Sequence, residues 1–153
     1  DTGIFFTSDH GLEDIDLKNL TLLNNHSYLT ERYEINSKGS PILPSGSPRD
    51  IFLHIKQDKI DEVISYLEKE LSNKSQVLKL DKQTIKQLFG NFTPHDEFLE
   101  RLGNVLILSK GSHVCWYEYN IEKKLVKRAH HGSLLGSEMI IPFGSAKASD
   151  LIQ

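Results

Sequence analysis

The residues best suited to chemistry stand at the start of the chain, in Gly3-Ile4-Phe5-Phe6-Thr7-Ser8-Asp9-His10-Gly11. A short apolar, β-branched and aromatic stretch without alternation reads as a strand buried on both faces, as in the centre of a parallel sheet. Asp9 and His10 then fall at its carboxyl end, the edge where open α/β sheets collect ligands and catalytic groups. A carboxylate beside an imidazole is half of a divalent-metal site. Neighbouring side chains of a regular strand point to opposite faces, so the two can share one ion only where the backbone turns, which Gly11 would permit. The competing reading is a loop aspartate capping the next element beside a histidine satisfied by backbone.

A second cluster lies near the other end, in Ala129-His130-His131-Gly132-Ser133 and the following Ser137-Glu138-Met139-Ile140-Ile141-Pro142. Two histidines and a glycine precede a polar turn. Met139-Ile140-Ile141 reads as a return to a buried strand that Pro142 terminates or places at an edge. Between the clusters, Arg49 could reach an anionic substrate group as a bidentate donor, or pair with Asp50 or another acid. Asp50 and His54 have a ligand-like spacing, but on a strand rising about 3.3 Å per residue they stand roughly 13 Å apart, so they are not expected to share an ion. His26, His95 and His113 read as surface residues. Trp116, Tyr117 and Tyr119 could stack on a base, or simply alternate across a sheet.

The elements that must position these groups follow from periodicity. Residues 20–23 form a short element, and residues 27–36 a strand or short helix. The glycine-, proline- and serine-rich stretch 37–48 marks an exposed loop and a lobe boundary. Residues 50–56 read as a strand, and 58–71 as an amphipathic helix with Ile60, Val63, Ile64, Leu67 and Leu71 on one side. A strand at 75–80 follows. Asp81 then caps a short helix closed by Gly90, a helical turn or two covers 95–101, and 104–108 is a clear strand. Residues 113–120 alternate as a half-exposed antiparallel strand would. Three parts result: a core segment at 1–48, an inserted two-layer lobe at 49–110, and a return to the core at 111–153.

At 153 residues, 38% apolar and 25% charged, the chain has the composition of a folded domain. A net charge of -3, with the lysines of 56–86 mixed among acids, argues against nucleic-acid binding. No apolar run approaches the roughly 20 residues that span a bilayer. The single cysteine, Cys115, excludes an internal disulfide and reads as a buried structural thiol. That accords with a reducing compartment and a cytoplasmic location. Because Asp1 lies two residues ahead of a strand and the sole methionine is Met139, the chain is expected to be the carboxyl-terminal part of something longer. The missing leader then says nothing of the parent's location.

Taken together, Thr7-Ser8-Asp9-His10-Gly11, His131-Gly132-Ser133-Leu134 and Ser137-Glu138-Met139-Ile140-Ile141-Pro142 resemble the final two metal-binding blocks of the alkaline phosphatase superfamily. The likeness is closer to its phosphodiesterase and nucleotide pyrophosphatase branch. Ser45-Gly46-Ser47-Pro48-Arg49-Asp50-Ile51-Phe52-Leu53 and Leu88-Phe89-Gly90 resemble the inserted lobe of prokaryotic members. The resemblance implies an α/β fold: the carboxyl-terminal part of an alkaline-phosphatase-like sheet core with an inserted α+β, ferredoxin-like cap lobe. It also implies two divalent ions, usually zinc, which clamp the phosphoryl group and activate a threonine or serine nucleophile. Asp9 and His10 would bind the ion beside that nucleophile. His131 would bind the other, since it directly precedes the glycine, and His130 would play a supporting part.

In the family the nucleophile and the remaining ligands lie upstream of these blocks, so this segment is not expected to turn over substrate alone. The implied substrate is a small phosphorylated molecule, with nucleotides among the candidates, although sulfate-ester hydrolysis and phosphate-group isomerisation also occur in the superfamily. The alternative is a non-catalytic α+β binding or interaction module built on residues 49–110. An open sheet edge leaves strand pairing or a dimer available to the isolated segment.

Overall fold

The computed structural model describes residues 2–120, 122 and 124–151. In chain order its elements are β1 (Gly3–Thr7), β2 (Glu13–Asp14), β3 (Leu20–Leu22), α1 (Ser27–Thr30), β4 (Ser45–Ser47), β5 (Asp50–Leu53), α2 (Ile60–Glu70), β6 (Ser75–Lys79), α3 (Lys82–Phe89), α4 (Asp96–Leu102), β7 (Val105–Ser109), β8 (Val114–Trp116), β9 (Ala129–His130), α5 (Gly136–Met139) and β10 (Phe143–Lys147).

The most continuously apolar run, Val105-Leu106-Ile107-Leu108, is buried throughout because β7 lies between β5 and β6 in a four-stranded antiparallel sheet of order β4-β5-β7-β6. Alternate side chains of a strand face opposite ways, and here each set meets its own helical layer. Val105 and Ile107 join Ile51, Leu53 and Val77 beneath Ile60, Val63 and Leu67 of α2. Leu106 and Leu108 join Leu80, Ile85 of α3 and Leu102 of α4. The helix boundaries obey local chemistry. The Asp81 carboxylate accepts the Thr84 N–H at 2.8 Å to start α3, and Gly90, at φ +99°, ends it. His95, expected to be an ordinary surface residue, caps α4 by accepting the Glu97 N–H at its Nδ1.

Several expectations fail where covering depends on distant residues. β1 forms, but it pairs antiparallel with β10 alone and is exposed along its length, with Phe5 72% and Phe6 61% accessible. An apolar run specifies a strand without specifying what covers it. The return strand does not include Met139-Ile140-Ile141. Glu138 and Met139 belong to α5, Ile140 and Ile141 are exposed, and β10 starts only after Pro142. Residues 113–120 hold only the three-residue β8, which runs parallel to β3. The Cys115 N–H donates to the Pro48 carbonyl, which draws Val114 and Cys115 into the core. Part of the presumed exposed loop, Ser45–Ser47, is the edge strand β4.

His113 is likewise not a surface residue. It is 4% exposed, with Thr21 Oγ1 2.9 Å from its Nε2 and Ser75 Oγ 3.1 Å from its Nδ1. Burial, reinforced by Lys74 and Arg49, lowers its pKa to about 4. Cys115 is fully buried in β8, and burial pushes its thiol up to about 12.

Both values have measurable consequences. In the unfolded chain His113 takes up its proton near pH 6.5, in the folded chain only near pH 4. Its contribution is therefore intact above about pH 6.5, is lost as pH falls toward 4, and falls no further below that. The full loss is about 3 kcal/mol. Urea denaturation across this window should show it, and His113→Gln should flatten the dependence. Ellman's reagent should label one thiol per chain only after unfolding.

Candidate metal centre

The loop after β1 turns through its own side chains. Ser8 Oγ donates to the His10 carbonyl at 2.9 Å, and the His10 N–H donates to Asp9 Oδ1 at 3.0 Å. This second contact is the main reason the Asp9 carboxyl is held below its ordinary pKa. The turn brings both side chains to one side, with Asp9 Oδ2 3.4 Å from His10 Nε2. His10 Nδ1 lies 2.8 Å from the Gly11 carbonyl. A carbonyl can only accept, so in the neutral ring Nδ1 carries the proton and Nε2 presents its lone pair beside the carboxylate. A backbone carbonyl fixing the distal nitrogen is how metal-ligating histidines are commonly oriented.

Asp9 and His10 offer oxygen and nitrogen donors of the kinds zinc takes. Bonds of about 2.0–2.2 Å to nitrogen and oxygen at tetrahedral angles separate two ligand atoms by roughly 3.3–3.4 Å, which is the spacing found between Asp9 Oδ2 and His10 Nε2. From the opposite end of the chain, the His131 ring stacks on that of His10, with centroids 3.6 Å apart and planes 21° from parallel. The result is a carboxylate–imidazole pair with a second imidazole against it. Among the described residues, no group of three or more His, Cys, Asp or Glu side chains is arranged to hold one ion by itself.

Two glycines set the approach of the blocks. Gly11 is not in the left-handed region, so the turn does not require it. Its N–H donates to the Glu138 carbonyl at 2.9 Å, and a Cβ there would lie 1.9 Å from the Ser137 carbonyl oxygen. Close approach, not turn geometry, demands the glycine. Gly132 has φ +128°, and a Cβ there would meet Asp50 Oδ1 at 2.4 Å and Ser47 Oγ at 2.6 Å. Ser47 Oγ also lies 3.0 Å from the His131 carbonyl, placing the second block against the β4–β5 hairpin. Asp50 has its pKa raised by burial and accepts from the Ser47 N–H and hydroxyl.

Arg49 does not reach outward. It is 0% exposed, and it donates through Nε and Nη2 to the two carboxylate oxygens of Glu138 at 3.1 and 2.8 Å. Its Nη1 donates to the carbonyls of Gly111 at 2.6 Å and His113 at 2.7 Å. Of the two readings of Arg49, pairing with an acid is the one the structure shows, and the proposed substrate contact is corrected: every donor nitrogen is turned into the protein. The acid is Glu138, whose role the sequence reading missed. The signal was a carboxylate next to Met139-Ile140-Ile141, since a charge drawn into an apolar setting needs a partner. His130 lies on β9 opposite Glu13. Its Nε2 is buried with no hydrogen-bond partner among the described residues. Trp116, Tyr117 and Tyr119 pack against one another.

No family model and no curated protein matches the chain in sequence. Solved structures do match. Murine ectonucleotide pyrophosphatase/phosphodiesterase 5 superposes with a TM-score of 0.60 at 20% identity, covering 94% of this chain and 33% of that one. Phosphonoacetate hydrolase from Sinorhizobium meliloti, in complex with phosphonoformate, gives 0.59 at 16% identity, covering 94% and 35%. An inactive variant of the murine protein in complex with AMP gives 0.60. The chain therefore shares the fold of a part of these structures. It spans about a third of the length of these structures. No helix among the described residues is long and apolar enough to cross a membrane.

The glycine geometry predicts position-specific losses. Gly132→Ala adds left-handed strain and a clash with Asp50, and Gly11→Ala drives a methyl into backbone. Each should cost on the order of 1–3 kcal/mol, read by thermal denaturation. Alanine at Gly39, where a Cβ meets nothing within 4 Å, should show conformational strain alone and a smaller loss.

Proposed function

We propose that this chain is the carboxyl-terminal segment of a metal-dependent phosphoric ester hydrolase of the phosphodiesterase/nucleotide pyrophosphatase kind. Asp9 and His10 would hold one divalent ion and His131 part of a second. The observation that carries this reading is the convergence of Asp9, His10 and His131 from the two ends of the chain, with the imidazoles in contact. Nitrogen and carboxylate-oxygen donors at the spacing of a tetrahedral site favour zinc. When bound, such ions supply Lewis-acid neutralisation of phosphoryl charge and lower the pKa of a nucleophile.

The chain's own residues supply ligands and their orientation. His10 is fixed as the Nδ1-protonated tautomer by the Gly11 carbonyl, and the His131 main-chain carbonyl lies against Ser47 Oγ. The nucleophile and the other ligands would come from further protein. Exposed aromatic side chains on both faces of the β1–β10 ribbon, Phe5 and Phe143 on one and Phe6 on the other, support that reading, because exposed hydrophobic surface marks a place that packs against something else. A small phosphorylated substrate accords with the AMP and phosphonoformate named in the neighbouring structures. The two-helical-layer sheet of residues 45–109 would act as the cap lobe.

Zinc content per chain, measured by elemental mass spectrometry after exchange against a weak chelator, tests the reading. The expected result is retained zinc that is lost in both Asp9→Ala and His131→Ala, with no turnover of a chromogenic phosphodiester by the chain alone. A chain that retains no zinc, or retains it equally in both variants, would overturn the assignment.

A further inference from the structure

Glu138 touches both halves of the candidate centre. Its main-chain carbonyl accepts the Gly11 N–H at 2.9 Å, one residue from His10. Its carboxylate Oε1 accepts the Ser133 N–H at 3.0 Å, two residues from His131. The same carboxylate is gripped by Arg49 through Nε and Nη2. The remaining Arg49 nitrogen ties the assembly to the carbonyls of Gly111 and His113, in the connection between β7 and β8. Ser133 Oγ donates to the Ser109 carbonyl at 2.6 Å, a second tie to the end of β7.

We infer that Glu138, locked by Arg49, is a positioning residue that sets the relative placement of His10 and His131 and so pre-forms the metal centre. The inference rests on the proposed metal-binding role of the two histidines for its functional meaning, but not for its geometry. Besides Glu138, the two blocks are joined by the short pairing of Glu13–Asp14 with Ala129–His130, by the exposed β1–β10 ribbon, and by the Ser137 hydroxyl on Glu13. Glu138 adds a tie made from one residue, with a main-chain acceptor one residue from His10 and a side-chain acceptor two residues from His131. Burial of the ion pair, with side-chain exposures of 0% and 1%, keeps water from substituting for either partner. A carboxylate held by two parallel N–H···O bonds has one permitted orientation, so the Ser133 amide has one place to sit.

The test separates positioning from mere stability by comparing two paired variants. In Arg49→Gln/Glu138→Gln, the amide oxygen at position 138 still accepts the Ser133 N–H, and the two side chains can bond to each other. In Arg49→Met/Glu138→Leu, volume is kept but the acceptor is gone. The direct readout is the nuclear Overhauser contact between the imidazole protons of His10 and His131 in the metal-free full chain. The functional readout is zinc affinity by competition with a chromogenic chelator, at temperatures where both variants are equally folded.

The expected result is that the wild type and the amide pair show the histidine contact, while the apolar pair loses it and binds zinc roughly 10–100-fold more weakly. Equal histidine contact in all three proteins would overturn the inference. If the wild type shows the contact and the apolar pair lacks it, but none binds zinc, the positioning role stands and the metal-site reading fails. Should the apolar pair not fold, hydrogen exchange on the wild type decides. Slow exchange of the Gly11 and Ser133 amides, protected to the same degree as those of β7, supports the tie, and free exchange of either overturns it.

Discussion

A charge buried without compensation is among the most costly features a fold can contain, and the Arg49–Glu138 pair is the point at which this chain had to resolve that problem. Both side chains are sealed from solvent. Removing one partner of such a pair typically costs about 3–5 kcal/mol, because the other is left buried and unpaired. The compensation is thorough: the two carboxylate oxygens meet two guanidinium nitrogens, the third nitrogen meets two carbonyls, and Glu138 also takes the Ser133 amide. Since the groups come from the β4–β5 turn, from the β7–β8 connection, and from α5 and the turn before it, the pair can be satisfied only if all three regions are in place together.

The sheet of residues 45–109 supplies the rigid body against which this occurs. β7 is covered on both faces, by α2 on one side and by α3 and α4 on the other. Its end delivers the Ser109 carbonyl to Ser133 and the Ser109 N–H to the Arg49 carbonyl. The β4–β5 hairpin carries Ser47 and Asp50, onto which Gly132 packs at a distance no side chain could tolerate. This sheet is thus more than an appendage. It is the surface that holds the His131 block, and through Glu138 the His10 block as well.

Such an arrangement separates rigidity from exposure. The histidines sit near the surface, with Asp9 largely open, while the groups that fix them lie deep. A metal ligand must stay accessible to its ion and substrate, but it binds tightly only if little conformational freedom is lost on binding. The aromatic side chains of the β1–β10 ribbon stand in contrast, with Phe5, Phe6 and Phe143 exposed.

Much of the fold was legible because local rules were sufficient. The spacing of Ile60, Val63 and Leu67 gave α2, Asp81 and Gly90 bracketed α3, and the continuous apolar run gave β7. Asp9 and His10 stood out by residue type beside a glycine, and His131 by the resemblance of its block to a known family. What the sequence could not decide was anything requiring a partner from elsewhere in the chain. Phe5 and Phe6 read as buried because apolarity records a preference for cover, not its presence. Arg49 read as a substrate or surface residue because its partner lies 89 residues away, and His113 read as exposed because the hydroxyls that satisfy it come from β3 and β6. Periodicity and capping are near-neighbour physics and therefore belong to the sequence. Pairing of buried charges, burial of a polar ring and the contact between two distant imidazoles are decided only when the chain closes on itself.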